Sequence, residues 1–265
     1  MKFSVLASGS TGNSFFIESK DSKLLVDAGL SGKQIEGLLA EVDRNAADLD
    51  AILITHEHKD HIKGVGVLAR RYQLPIYANS KTWAELDEQL GTISENQRMI
   101  MEIGEVLQFA DMTVESYGTS HDAAEPMGFC FYEEDNKVSL TTDLGYVSQR
   151  IKDTIRDSDA YIFESNHDVE MLRMGGYPWH LKRRILSDVG HLSNETAGEA
   201  LCDILAGKGE TIYLAHLSKE NNMTELARLT VNNILQESGF SVGDDVHLVD
   251  TSPVRPTVMR EITRK

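Results

Sequence analysis

Short apolar runs separated by turn residues open the chain. Residues 2–6, 15–17 and 24–26 read as strands, divided by the loop Ser8-Gly9-Ser10-Thr11-Gly12-Asn13-Ser14 and a turn at Asp21-Ser22. Residues 31–41 have the spacing of a helix that Ser31 can cap, and Ala51-Ile52-Leu53-Ile54 is the apolar run of a buried strand. Beyond it, 65–72 and 82–90 read as helices and 76–77 as strand. Further strands are expected at 106–109, 112–116, 128–132, 137–141 and 212–215. Residues 194–205 form an amphipathic helix with Ala197, Ala200, Leu201, Ile204 and Leu205 on one face and Gly207 as its stop, and 224–236 form another. Strand-rich halves, each followed by helices, suit two packed sheets covered on their outer faces.

The apolar run at 51–54 leads directly into His56-Glu57-His58-Lys59-Asp60-His61. Three imidazoles and a carboxylate within six residues are hard to explain as solvent decoration. In a loop at a strand end, alternate residues point to one side, so His56 and His58 can converge on one cation. Asp60 and His61 can reach a second. A helical zincin motif does not fit, because its histidines stand four apart with Glu next to the first. One loop cannot complete two coordination shells, so further ligands are expected at later strand ends. His121 follows Gly118-Thr119-Ser120, Asp143 follows Thr141-Thr142, and His216 ends Ile212-Tyr213-Leu214-Ala215. Each alone reads as structural; their shared position after apolar strands, beside the first motif, turns the reading to metal ligation. The carboxylate of Asp143 is placed to bridge two ions.

Composition narrows the picture. The 265 residues carry no linker or repeat, so one domain spanning 1–265 is expected. The two cysteines, Cys130 and Cys202, lie outside any metal spacing and read as small buried hydrophobes. The start Met1-Lys2-Phe3-Ser4 reaches charge too soon for a signal peptide, and no apolar stretch is long enough to cross a bilayer, so a cytoplasmic protein is expected. A net charge of −16 repels polyphosphate at long range, so nucleic-acid binding must rest on bound metal or a local patch.

The order His-x-His-x-Asp-His, a lone His, a lone Asp and a last His resembles the metallo-β-lactamase superfamily over nearly the whole chain. Ser8–Ser14, Leu25-Val26-Asp27-Ala28-Gly29, Thr142-Asp143-Leu144-Gly145, Glu164-Ser165-Asn166-His167-Asp168, Gly190-His191-Leu192-Ser193-Asn194 and His216-Leu217-Ser218 resemble its YycJ/VicX (WalJ) branch, near ribonuclease Z-like phosphodiesterases. The resemblance implies an α/β fold, a four-layer αββα sandwich with two divalent ions, zinc or manganese, at one edge. It also implies that His56, His58 and His121 hold one ion, that Asp60, His61 and His216 hold the other, and that Asp60 orients the attacking water. A general acid, His191, paired with Glu164, is implied in the same way. So is the activity, a 5′-to-3′ exonuclease acting on DNA.

Lys182-Arg183-Arg184 flanks this acid in an otherwise acidic chain, with Tyr177 and Trp179 nearby, and reads as a phosphate contact with stacking aromatics. His167 either lines the site or sits on a surface turn. Asp27 reads as an organiser of loops, Ser10 and Asn13 as shapers of a turn, and Glu57 and Lys59 as solvent-facing spacers. Two other functions stay open: hydrolysis of a small phosphodiester, ester or thioester on the same metals, and a regulatory protein linked to two-component signalling. The chain has no room for the β-CASP insertion of long-RNA enzymes, which argues against that substrate class.

Overall fold

The computed structural model describes residues 1–262. Its first sheet runs through β1 (Lys2–Ala7), β2 (Ser14–Glu18), β3 (Lys23–Val26), β4 (Ala51–Leu53), β5 (Ile76–Ala78) and β6 (Arg98–Ile100) as spatial neighbours. The second runs through β7 (Val106–Phe109), β8 (Met112–Gly118), β9 (Met127–Glu133), β10 (Asn136–Thr141), β11 (Ala160–Glu164), β12 (Glu210–Ala215) and β13 (Val246–Asp250). A short β14 (Arg260–Glu261) pairs antiparallel with β1 and brings the first sheet to seven strands, the number in the second.

Alternation of side chains along the strands sorts the core into layers. Phe3, Phe15, Ile17, Leu24 and Val26 of the first sheet meet Phe129, Phe131, Val138, Ile162 and Tyr213 of the second in the space between them. On the outer side of the first sheet, Phe16, Leu25 and Ile52 pack under α1 (Gly32–Glu41), α2 (Lys59–Ile62), α3 (Val65–Tyr72) and α4 (Ser80–Leu86). The outer side of the second, with Tyr161, Phe163, Ile212 and Leu214, is covered by α5 (Gln149–Ile155), α8 (Asn194–Ile204) and α9 (Thr224–Glu237). Two shorter helices, α6 (Val169–Met174) and α7 (Trp179–Ile185), fill the connection from β11 to α8. The expected αββα sandwich is therefore present. No described helix is long and apolar enough to cross a membrane.

Local chemistry sets the helix ends. Ser31 starts α1, its backbone N–H and hydroxyl both donating to Gln34 Oε1 at 3.3 and 2.6 Å. Asn79 Oδ1 accepts the Thr82 N–H at 2.8 Å, so α4 begins at Ser80 and ends at Leu86 rather than spanning 82–90. The helix α8 leaves through Leu205 in extended geometry, so Gly207, at φ +69°, lies beyond the helix and does not stop it. Strands β6, β11, β13 and β14 are not among those expected from the sequence. The omission of β11 is the one that matters, since it lies in the middle of the second sheet, parallel to both β10 and β12.

Parallel pairing fixes where the site must be. β3 and β4 run parallel in one sheet, and β10, β11 and β12 run parallel in the other. Their C-terminal ends share one edge of the sandwich, and every candidate ligand follows one of these strands or β8.

Behind this edge the 165–168 segment is clamped to the start of α8. Asn166 N–H donates to Leu192 O and Asn194 N–H to His167 O, each at 2.9 Å. His167 is thereby buried, with neither ring nitrogen hydrogen-bonded among the described residues. Burial pushes its imidazole down to about 4, with the nearby Glu164 charge opposing. The folded pKa is below the unfolded one, so folding favours neutral His167, and stability is lost as pH falls from about 6.5 toward about 4. We expect the parent protein to lose about 3 kcal/mol more than His167→Gln across that window, read from denaturant unfolding at each pH. Identical pH dependence in the two proteins would show that the imidazole is not held neutral by the fold.

Candidate metal centre

The side chains foreseen as ligands do converge. Donor atoms of His56, His58 and His121 lie within 4.8 Å of one another, as do those of Asp60, His61 and His216, and Asp143 joins further groups with His56 and His61 and with His216. All are buried except His58 and Asp60, which are partly open to a cavity of about 230 Å³.

The backbone delivers them under strain. Asp143 and His216, each just past its strand, adopt left-handed φ of 59° and 56°, and so does Asp27 after β3, at 57°. Such a conformation costs of order 1–3 kcal/mol for a non-glycine residue and persists only where surroundings impose it. Around the hexapeptide, Asn13 N–H donates to Asp60 O at 2.8 Å and Ala28 N–H to His61 O at 2.7 Å. Gly29 is required there, since a Cβ would lie 1.6 Å from the Asp60 carbonyl oxygen.

A surrounding set of oxygen atoms dictates which ring nitrogen faces inward. Carbonyl and carboxylate oxygens only accept, so a ring nitrogen against one must carry the proton. His121 Nδ1 donates to Gly190 O at 3.1 Å, His216 Nδ1 to Glu164 Oε1 at 2.9 Å, and His61 Nδ1 to Asp27 Oδ2 at 2.8 Å. The Thr55 hydroxyl donates to Asp27 Oδ2 at 2.7 Å and so accepts from His56 Nδ1 at 3.0 Å. Each of these four imidazoles is left with Nε2 as its lone-pair atom. Asp27 thus organises the loops through Thr55 and His61, and Asn13 Nδ2 approaches His61 Nε2 at 3.1 Å.

Some inward atoms are hydrogen-bonded, His56 Nε2 lying 3.1 Å from His58 Nδ1, but others are not. Asp143 Oδ2 and His216 Nε2 are buried with no hydrogen-bond partner among the described residues. His61 Nε2 stands 3.4 Å from Asp143 Oδ2, and His216 Nε2 stands 3.6 Å from Asp60 Oδ2. Burial drives the His56 imidazole well below its ordinary pKa, reinforced by His61 and His121. Burial likewise lowers His121, with Asp143 opposing. For His61 burial works against the charge, but Asp143 and Asp27 outweigh it and lift the group to about 9. Asp60, Asp143 and Glu164 stay below the usual carboxylate range despite burial, each held by neighbouring imidazoles. His216 is raised in the same way as His61, burial opposing and Asp143, Asp60 and Glu164 prevailing. Buried imidazoles whose inward Nε2 atoms hold protons only because ionised carboxylates face them are a donor set in which divalent cations can take the protons' place.

Glu164 is the hub of the second sheet's contribution. Fully buried at the end of β11, it accepts from His191 Nδ1 at 2.8 Å and His216 Nδ1 at 2.9 Å through Oε1. Its Oε2 accepts the Leu144 and Leu192 N–H groups at 3.2 Å. His191 lines the cavity, close to His121 and His216.

Other expected contacts move. Lys182 is buried, its ammonium donating to Arg173 O and Gly175 O at 2.7 Å, so it is unavailable to a phosphate. Arg183 is exposed and does not line the cavity, whereas Arg184 lines it and pairs with Asp122. Tyr177 is on the cavity wall, and Trp179 is exposed outside it. His167 lines neither cavity nor surface. Glu57 is no spacer, because its Oε1 accepts the Ala124 N–H at 2.8 Å and fastens the loop after His121. Cys130 is buried and Cys202 half-buried, both as free thiols.

The sequence pattern described as the beta-lactamase superfamily domain matches residues 22–217. Among curated relatives, "Exodeoxyribonuclease YycJ" of Bacillus anthracis is 54% identical over 262 residues, covering 99% of each chain. "Exodeoxyribonuclease WalJ" of Streptococcus pneumoniae serotype 2 (strain D39 / NCTC 7466) is 52% identical over 263 residues, covering 98% of each. Among solved structures, the metallo-beta-lactamase fold protein YhfI of Bacillus subtilis superposes with a TM-score of 0.72 at 19% identity, covering 97% of this chain and 98% of that one. With that fold, that match and relatives spanning almost its whole length, the chain belongs to the metallo-β-lactamase superfamily, in the branch that contains YycJ and WalJ.

Proposed function

We propose that this chain is a metal-dependent phosphodiesterase that removes nucleotides from the 5′ end of DNA. The observation that carries the reading is the buried convergence of His56, His58, Asp60, His61, His121, Asp143 and His216, four of whose imidazoles are turned Nε2-inward by fixed acceptors. The names of the two near-full-length relatives support a DNA-degrading activity from an end. The 5′ polarity rests on the resemblance to their branch. His56, His58 and His121 would hold one ion and Asp60, His61 and His216 the other, with Asp143 between them. Imidazole and carboxylate suit zinc and manganese alike. When bound, such a pair supplies an acidified water as nucleophile and positive charge for the developing phosphoryl oxygens.

The chain's own groups do the rest. Asp60 is ionised and partly open to the cavity, so its carboxylate accepts a hydrogen bond from the attacking water and orients it. His191 gives Nδ1–H to Glu164, leaving Nε2 as the atom that exchanges a proton with the leaving oxygen. Glu164 acts through His191 and is a positioning residue. Arg184, on the cavity wall, is the member of the basic run suited to contact a phosphate.

His191→Ala should keep its metal and lose roughly 10²–10⁴-fold in turnover on nucleic acid, whose leaving alkoxide needs a proton. An aryl phosphodiester, which leaves as a stable phenolate, should lose far less. Equal losses on both would remove His191 from the acid role. The activity itself is tested by a time course on DNA labelled at a single 5′ or 3′ end, with metal supplied and His58→Ala as control. Mononucleotide should appear first from the 5′ label. Turnover confined to small cyclic or aryl diesters would favour the small-substrate reading instead.

A further inference from the structure

The cavity over the donor cluster is too small for the substrate just proposed. At about 230 Å³ it falls below the roughly 300–1,000 Å³ of sites that enclose whole small molecules. It accommodates a reacting phosphodiester, and the rest of a polymer must lie elsewhere. A groove of about 850 Å³ adjoins it and shares Ser10 and Asp60 with it as common wall.

This groove is built by α2 and α3 with the 88–90 turn. Its lining includes the apolar side chains of Ile62, Val67 and Leu90. Arg70 braces the far wall by donating to Leu90 O at 2.6 Å, so its charge is committed to the backbone. Lys59 and Lys63, a helical turn apart, are both exposed on the groove. No ion pair or side-chain hydrogen bond among the described residues engages either ammonium. In a chain of net charge −16, the groove carries Lys59, Lys63 and Arg70 against only Glu88 and the cluster residue Asp60. Uncommitted ammonium groups beside apolar lining match a strand whose phosphates are charged and whose sugars and bases are not.

We propose that this groove is the binding track for the single strand of nucleic acid that remains attached beyond the scissile phosphate, with Lys59 and Lys63 contacting successive phosphates. The proposal rests on the nuclease reading and deepens it. It requires that efficiency grow with strand length, and that this growth depend on the two lysines.

The test compares kcat/KM on a long single-stranded oligonucleotide and on a dinucleotide, in the metal-loaded parent and in Lys59→Gln/Lys63→Gln. The ratio within each protein cancels any change at the metal centre. In the parent the ratio should exceed one, and in the variant it should fall by roughly tenfold, the scale expected for two lost phosphate contacts. The slope of log affinity against log salt should become shallower by about 0.7 per lysine. Independently of turnover, the long strand should shield Lys59 and Lys63 of the parent from acetylation, while Lys20, exposed between β2 and β3 and lining neither the groove nor the cavity, should stay reactive. An unchanged ratio with unshielded lysines would overturn the track and leave the nuclease reading standing. Absence of hydrolysis at either length would overturn the nuclease reading itself.

Discussion

Everything at the functional edge depends on one electrostatic constraint: ionised carboxylates are buried against imidazole nitrogens, and without a cation the balance is struck by protons that those carboxylates hold on His61 and His216. Asp143 Oδ2 and His216 Nε2 are enclosed and unpaired among the described residues. His56 is forced toward neutrality while Asp143 remains charged a few ångströms away. Burying charged groups costs several kcal/mol each unless they are well paired. The left-handed backbone at Asp27, Asp143 and His216 adds to that cost at the same edge. Divalent cations offset both terms, which is the physical case for a metal centre here.

That constraint also explains why two sheets are needed. The first supplies the hexapeptide and Asp27, and through Thr55 it fixes the rings of His56 and His61. The second supplies Asp143, Glu164 and His216 from three adjacent parallel strands. Glu164 has a double task. A single oxygen accepts from both His216 and His191, coupling a candidate ligand to the proposed proton donor. Losing the carboxylate should therefore disturb two imidazoles that differ in function.

Much of this was legible in the sequence, for a definite reason. A candidate ligand placed immediately after an apolar run, such as His216 after Ile212-Tyr213-Leu214-Ala215, is marked by the run itself. The same logic located His56 and Asp143. The strand β11 escaped because Ala160-Tyr161-Ile162-Phe163 is buried on both faces, so it shows no polar alternation to reveal its period. Lys182 misled because a basic run in sequence does not say which ammonium folds back on a helix end. Glu57 looked like a spacer because its acceptor role depends on Ala124, far along the chain. The groove beside α2 and α3 was invisible for a similar cause, since it exists only once the 88–90 turn packs against them.

The central claim is that this buried donor set is built for two divalent ions. Elemental analysis of the protein after loading and removal of free metal measures that directly, with turnover followed on the same samples. The account predicts close to two equivalents in the parent, fewer in Asp143→Ala, and activity that appears only as the second equivalent binds. Full activity with one ion or none would contradict it.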